Sequence, residues 1–93
     1  MIAKMYNYSY WVEETDPNKL KEVYEKLLNE SGFNVLKYID YHFTPYGFTA
    51  LYLLSESHLA IHTFPEENKS YIELSSCIDN PFYKFKDLLN KDI

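Results

Sequence analysis

Residues 48–64 have the sequence FTALYLLSESHLAIHTF, in which two apolar runs of seven residues flank the polar triplet SES. The first run is apolar enough to predict a strand that is buried on both faces. The second run alternates weakly, which predicts a strand with Leu59 and Ile61 on one face. Two such strands need other elements to cover them, and the flanking sequence supplies these elements.

Three more strands and two helices are predicted around these runs. The first helix begins at Asp16-Pro17, an N-cap followed by proline at the first helical position, and stops at Gly32. The second begins at Asn80-Pro81, which repeats the cap signature. The apolar positions with helical spacing are Leu20, Val23, Tyr24, Leu27 and Leu28 in the first helix, and Phe82, Phe85, Leu88 and Leu89 in the second. The other strands are predicted over Met1–Glu13, Phe33–Thr44 and Ser70–Cys77.

The resulting order, β-α-β-β-β-β-α, predicts the α+β fold class. Two helices on one face of a mostly antiparallel sheet, a two-layer α/β sandwich, bury these apolar faces economically. The chain has 93 residues, of which 46% are hydrophobic, and this is enough for one core but not for two. We therefore expect a single domain over residues 1–93.

Charge and cysteine usage disfavour several classes of function. The chain has 9 basic and 14 acidic residues and a net charge of −5, so phosphate backbones repel it and nucleic acid is not an expected partner. No apolar run approaches the roughly 20 residues that span a bilayer. Residues 1–10 lack the pattern of a signal peptide, and the single cysteine, Cys77, has no partner for an internal disulfide. We expect a cytoplasmic protein that does not bind membranes.

The stretch from residue 55 to residue 66 contains a hydroxyl, two imidazoles and several carboxylates, and it allows three interpretations. A metal site would use His58, His62 and Cys77, but on a strand the two histidines lie about 13 Å apart, too far to share one ion. Nucleophilic hydrolysis would use Ser57 or Cys77, yet no nucleophile elbow surrounds either residue. Spacing alone therefore favours the third interpretation, structural histidines on a half-buried strand, and no metal is predicted.

Four segments in this region, in order and in register, resemble a known family. They are Phe43-Thr44-Pro45-Tyr46-Gly47, the run from Leu54 to Leu59, the run from Ile61 to Glu66, and Cys77. Together they resemble the core of the prokaryotic-type S-adenosylmethionine decarboxylases, small proenzymes that generate their own pyruvoyl cofactor. The flanking elements also fit the two-layer fold of that family.

The resemblance implies that the chain cleaves itself between residues 56 and 57. In the family, the serine hydroxyl, here that of Ser57, attacks the carbonyl of the preceding residue, here Glu56. β-Elimination from the resulting ester splits the chain and leaves a pyruvoyl group in place of Ser57. His62 matches the histidine that assists processing by proton transfer, a role that suits an imidazole. Thr49 stands where the family has a serine whose hydroxyl assists the same reaction.

The resemblance also implies roles in decarboxylation and substrate binding. The pyruvoyl group from Ser57 forms a Schiff base with the substrate amine and serves as an electron sink for loss of CO₂. Cys77 matches the proton donor of the family. Phe43 and Phe64 match the aromatic pair that stacks on adenine, and Glu66 matches the carboxylate that binds the ribose hydroxyls.

Besides Thr49, several features depart from the family pattern. The usual N-terminal Gly-x-His-Leu segment is replaced by residues from Tyr6 to Trp11, the glycine after the catalytic cysteine is replaced by Ile78, and Glu73 replaces an aspartate. Because family members also include decarboxylases of basic amino acids, the substrate does not follow from the motif.

The function predicted is that of a self-processing, pyruvoyl-dependent decarboxylase that supplies decarboxylated S-adenosylmethionine for spermidine biosynthesis. One alternative is the same machinery acting on ornithine or arginine, and another is a non-cleaving homologue that regulates an active partner. A weaker alternative is a small acidic protein that binds another protein through its aromatic surface.

A homodimer is also predicted. Aromatic residues make up 18% of the sequence, which is a large share for a small core to bury. With both helices on one face of the sheet, we expect the other face to display some of the strand tyrosines, Tyr6, Tyr8, Tyr10, Tyr38 and Tyr41. Pairing of that face or of a sheet edge with a second copy of the chain would hide these side chains, and the resemblance implies twofold association with pockets near the subunit boundary.

Overall fold

Five strands and two α-helices follow one another in the predicted order in a computed structural model, which describes residues 2–91. The elements are β1 (Tyr6–Val12), α1 (Pro17–Ser31), β2 (Val35–His42), β3 (Phe48–Leu54), β4 (Ser57–Phe64), β5 (Lys69–Ser76) and α2 (Asp79–Lys91). A short 3₁₀ helix, Pro65–Glu67, connects β4 to β5. The predicted α+β class is confirmed.

All neighbouring strands of the sheet are antiparallel, and their order is β1-β5-β4-β3-β2. β4 is the central strand, and β1 and β2 form the two edges. The pairing of β4 with β5 places Ser57 opposite Ser76, and the pairing of β3 with β4 places Thr49 opposite His62. This register determines which candidate residues meet.

The ends of α1 are formed by the predicted residues. The Asp16 carboxylate accepts a hydrogen bond from the backbone N–H of Asn18 at 3.0 Å, and Pro17 occupies the first turn. Gly32 ends the helix in the left-handed region at φ 96°, where a side chain would be strained. Val23 was predicted on the buried face but is exposed. The second helix begins at Asp79, one residue before its predicted cap.

The core lies between the helices and one face of the sheet. Its sheet side consists of alternate strand residues, including Tyr52, Leu59, Ile61, Ile72 and Leu74, and its helix side includes Leu20, Leu28 and Phe85. Tyr52 donates a hydrogen bond to the Glu25 carboxylate of α1 at 2.8 Å. Burial, followed by this hydrogen bond, raises the pKa of Tyr52 above its usual range.

The edge-strand tyrosines face the helices, which corrects the predicted placement of four of them. Tyr6, Tyr8, Tyr10 and Tyr38 pack against the core beneath the helices, and only Tyr41 lies on the opposite face of the sheet. Strand register explains the error, because Tyr8 and Tyr10 lie opposite the core residues Leu74 and Ile72. Tyrosine suits the rim of a core, since its ring is buried while its hydroxyl finds a polar partner.

The opposite face of the sheet, here called the open face, is uncovered by any element within residues 2–91. Leu51 and Leu53 of β3 are exposed there, so the prediction that this strand is buried on both faces is wrong. With Ile39, Lys37 and His58 they line an open apolar groove of about 660 Å³.

Within residues 2–91, no helix is long and apolar enough to cross a bilayer.

Candidate active site

The Ser57 hydroxyl is buried at the start of β4, on the side of the sheet that faces the helices. It donates a hydrogen bond to the hydroxyl of Ser76, 2.7 Å away on β5. This contact follows from the register, because Ser57 and Ser76 are directly paired residues. The proposed nucleophile therefore has a fixed orientation.

The carbonyl of Glu56 is held by two donors from one residue. The backbone N–H of Cys77 lies 3.3 Å from the Glu56 oxygen, and the Cys77 thiol lies 3.1 Å from the same oxygen. Two donors directed at one carbonyl oxygen polarise it and stabilise negative charge that develops there. The same arrangement favours attack on the carbonyl carbon.

Glu56 itself has a strained backbone. It occupies the turn between β3 and β4 with φ 62°, a left-handed conformation that side-chain-bearing residues rarely adopt. Such a conformation costs on the order of 1–3 kcal/mol and persists only where the surroundings enforce it. Glu56, Ser57, Ser76 and Cys77 are called the junction cluster below, since all four surround the peptide bond between residues 56 and 57.

Thr49 and His62 form a separate pair on the open face. They are opposite each other on β3 and β4, and the Thr49 hydroxyl lies 3.3 Å from Nδ1 of His62. The His62 ring also lies near that of Tyr71, with 6.4 Å between the ring centroids. The imidazole thus contacts the hydroxyl of Thr49, the residue that stands where the family has a processing serine.

The structure does not bring the Thr49–His62 pair to Ser57 within one chain. Ser57 and His62 are five positions apart on the same strand, which corresponds to about 16 Å. Because five is an odd number, the two side chains also lie on opposite faces of the sheet. In this conformation, His62 therefore cannot transfer a proton at Ser57 of its own chain.

The predicted substrate-binding aromatics lie at the end of the sheet near His62. Phe43 is exposed after β2 and packs edge-on against Tyr41, with ring centroids 4.8 Å apart. Phe64 is partly exposed at the end of β4, 5.8 Å from the ring of Trp11. Glu66 is exposed in the 3₁₀ helix that follows. All three side chains are accessible to a ligand.

Gly47 shapes this end of the site. Its φ of 107° requires glycine, and a Cβ there would lie 3.7 Å from both the Phe43 side chain and the Thr63 carbonyl oxygen. Its own carbonyl accepts a hydrogen bond from the backbone N–H of Phe43 at 2.8 Å. A cavity of about 320 Å³ opens beside Phe43, Gly47 and Thr63.

Two residues of the site were missed by the sequence interpretation. Ser76 precedes Cys77 in a predicted strand, and only the strand register shows that it meets Ser57. Trp11 belongs to an aromatic run whose individual contacts no spacing rule specifies.

Within residues 2–91, no three His, Cys, Asp or Glu side chains lie close enough together to hold a metal ion.

The fold places the chain in a known structural class. The chain is similar to the crystal structure of the adenosylmethionine decarboxylase from Aquifex aeolicus VF5, with a TM-score of 0.73 and 23% sequence identity. The superposition covers 91% of this chain and 76% of the other. At this identity the likeness establishes the fold, the two-layer sandwich described above.

Sequence similarity identifies the family. Residues 5–92 match the model of the S-adenosylmethionine decarboxylase family, and the chain belongs to this family. It is 53% identical over 47 residues to S-adenosylmethionine decarboxylase proenzyme 2 of Bacillus cereus, a match that covers 50% of this chain and 38% of the relative. It is 31% identical over 77 residues to the proenzyme of Moorella thermoacetica, covering 83% of this chain and 61% of the relative. The chain thus spans less than two thirds of the length of either relative.

Proposed function

We propose that this protein is a self-processing decarboxylase that acts on S-adenosylmethionine and supplies the aminopropyl donor for spermidine synthesis. The observation that carries the proposal is the junction cluster. In it, the carbonyl of Glu56, a residue with a strained φ, is held by two donors and adjoins the buried, oriented Ser57 hydroxyl. The names of the two relatives, both called proenzymes, support the same proposal.

Self-processing begins with attack of the Ser57 hydroxyl oxygen on the carbonyl carbon of Glu56. A C–O bond forms, the C–N bond to Ser57 breaks, and the hydroxyl proton is transferred overall to the amide nitrogen. The Cys77 N–H and thiol stabilise the negative charge on the Glu56 oxygen during this step. Departure from the strained conformation of Glu56 favours the reaction, because the strain of about 1–3 kcal/mol is then released.

Elimination completes the cleavage. The Cα proton of Ser57 is removed, its Cβ–Oγ bond breaks, and residues 1–56 leave with a terminal carboxylate. Addition of water and loss of ammonia then leave a pyruvoyl group at residue 57. The residues present fit this group, because the sequence provides the serine precursor beside an activated carbonyl.

In decarboxylation, the pyruvoyl group at residue 57 would act as the electron sink for loss of CO₂. The Cys77 thiol would protonate the substrate carbon that has lost CO₂, and its exposed position beside residue 56 supports this role. Phe43 and Phe64 offer flat faces for adenine and for the sulfonium cation, and the Glu66 carboxylate accepts hydrogen bonds from ribose hydroxyls.

Release of CO₂ from carboxyl-labelled S-adenosylmethionine tests the proposed reaction. In Cys77→Ala we expect turnover per processed chain to fall about 100-fold or more, because the proton donor is lost. Self-cleavage should be slower but should continue, since the Cys77 backbone N–H still binds the Glu56 carbonyl. Normal CO₂ release by Cys77→Ala would contradict the role of the thiol. Release of CO₂ by the native chain from labelled ornithine or arginine, and not from S-adenosylmethionine, would identify the alternative substrate.

Substitution of Phe64 tests the adenine site. Stacking of a base on an aromatic ring contributes about 1–3 kcal/mol, so Phe64→Ala should raise KM for S-adenosylmethionine roughly 10-fold or more. Phe64→Trp retains an aromatic face and should stay close to the native value. Tyr83→Ala removes an exposed aromatic ring on α2 and serves as the control. An unchanged KM in Phe64→Ala would place the adenine elsewhere.

We further propose that the active unit is a homodimer paired through the open face. Leu51, Leu53 and Ile39 are exposed there around the apolar groove, and a second copy would shield them. In this dimer the two sheets would stack with their open faces together, related by a twofold axis that lies between them and runs perpendicular to the strands. This axis reverses the strand direction of the second copy. The Thr49–His62 end of one sheet then lies over the junction-cluster end of the other. His62 of the partner subunit would thereby approach the peptide bond between residues 56 and 57 from the open face, where it would take the Cα proton of Ser57 in the elimination step, because the Ser57 hydroxyl itself points to the helix side.

A further inference from the structure

We propose that Ser76 is a positioning residue that fixes the Ser57 hydroxyl for attack on Glu56. The inference rests on the proposed self-processing and adds a residue to it. Ser76 has an exposed fraction of 0% and Ser57 one of 7%, and their hydroxyl oxygens are 2.7 Å apart. Among residues 2–91, this is the hydrogen bond through which the Ser57 hydroxyl donates its proton.

The Ser76 hydroxyl is itself held in place from the other side. It donates to the Ile78 carbonyl at 3.1 Å and accepts the Ile78 backbone N–H at 3.0 Å. With its proton and one lone pair engaged in this way, Ser76 presents its remaining lone pair to Ser57. A serine side chain has three staggered rotamers, and a single buried acceptor selects one of them.

This selection serves the reaction because a nucleophile attacks through a lone pair. Donation of the Ser57 proton to Ser76 leaves the lone pairs of Ser57 free for the Glu56 carbonyl carbon. Ser76 does not act as the base, since neither a neutral serine hydroxyl nor the Ile78 carbonyl binds an additional proton near neutral pH. The proton moves overall to the Ser57 nitrogen, so loss of Ser76 should lower the rate of cleavage without moving its pH dependence.

The rate of self-cleavage in four variants of the full chain tests the proposal. Ser76→Ala should slow cleavage about tenfold or more, the effect of one lost buried hydrogen bond on a transition state. Ser76→Thr retains the hydroxyl and should stay within about threefold of the native rate. Ser76→Val introduces a side chain of the same shape as threonine but without the hydroxyl, and it should be as slow as Ser76→Ala. The control is Ser75→Ala, which removes a buried hydroxyl that donates to the Asn7 side chain at 2.7 Å on the other face.

A purely structural role for Ser76 predicts a different result. It would make Thr and Val equally harmful, because the two add the same volume at a buried position. Equal rates for Ser76→Thr and Ser76→Val, or a native rate for Ser76→Ala, would overturn the proposal. A native chain that does not cleave at all would instead refute the proposed function, and that result is visible without any Ser76 variant.

Discussion

Ser57→Ala is expected to abolish self-cleavage completely, whereas the native chain divides at the junction of residues 56 and 57. Alanine has no oxygen to attack the Glu56 carbonyl, and uncatalysed hydrolysis of a peptide bond is negligible on the time scale of a purification. Intact mass spectrometry would show fragments of residues 1–56 and 57–93 from the native chain, the second with 93 − 56 = 37 residues. The second fragment should carry a ketone and no free amine at its N-terminus.

Ser55→Ala is the matched control for this experiment. Ser55 lies two residues earlier in the same turn, and its backbone N–H, which alanine retains, binds the Asn34 carbonyl at 3.1 Å. This variant should cleave like the native chain. A single full-length native species that is unreactive toward hydroxylamine after prolonged incubation would contradict self-processing. It would favour the non-cleaving regulatory homologue.

Much of the fold is predictable because local signals determine it. The Asp16-Pro17 and Gly32 signals fix the first helix, since a cap side chain and a left-handed φ act within a few residues. The apolar character of β3 did not reveal which of its sides is covered. Leu51 and Leu53 are as apolar as a buried strand requires, yet no element of the described chain packs on them. Coverage depends on tertiary or quaternary contacts that the sequence of one strand does not encode.

The candidate site is predictable as a list of residues but not as an arrangement. The motif places Glu56 beside Ser57 in the sequence, whereas the contact of Glu56 with Cys77 arises from the pairing of β4 with β5. The extended geometry of β4 places Ser57 and His62 far apart and on opposite faces, although the segments that contain them are separated by a single residue in the sequence. Ser76 carries no motif at all, and only the register of the sheet reveals it.

Mixing two inactive variants is expected to restore cleavage in one of them. Ser57→Ala keeps His62 but lacks the nucleophile, and His62→Ala keeps the nucleophile but lacks the imidazole. In a mixed dimer, the junction of the His62→Ala chain meets His62 of the partner subunit. With equal amounts and random pairing, about half of the His62→Ala chains should cleave, and the Ser57→Ala chains should remain intact. Distinct affinity tags separate the two chains for mass spectrometry.

Disruption of the open face provides the complementary test. Leu51→Glu places a charge at the centre of the proposed interface, so we expect a monomer by light scattering and loss of self-cleavage. Val23→Glu is the matched control, because Val23 on α1 is 48% exposed and Leu51 is 45% exposed. It should remain a dimer and cleave normally. Cleavage by monomeric Leu51→Glu, or failure of the mixed variants to complement each other, would show that His62 acts on its own chain. Ser57 and His62 would then have to approach each other through a rearrangement of β4, since about 16 Å and opposite faces of the sheet separate them here.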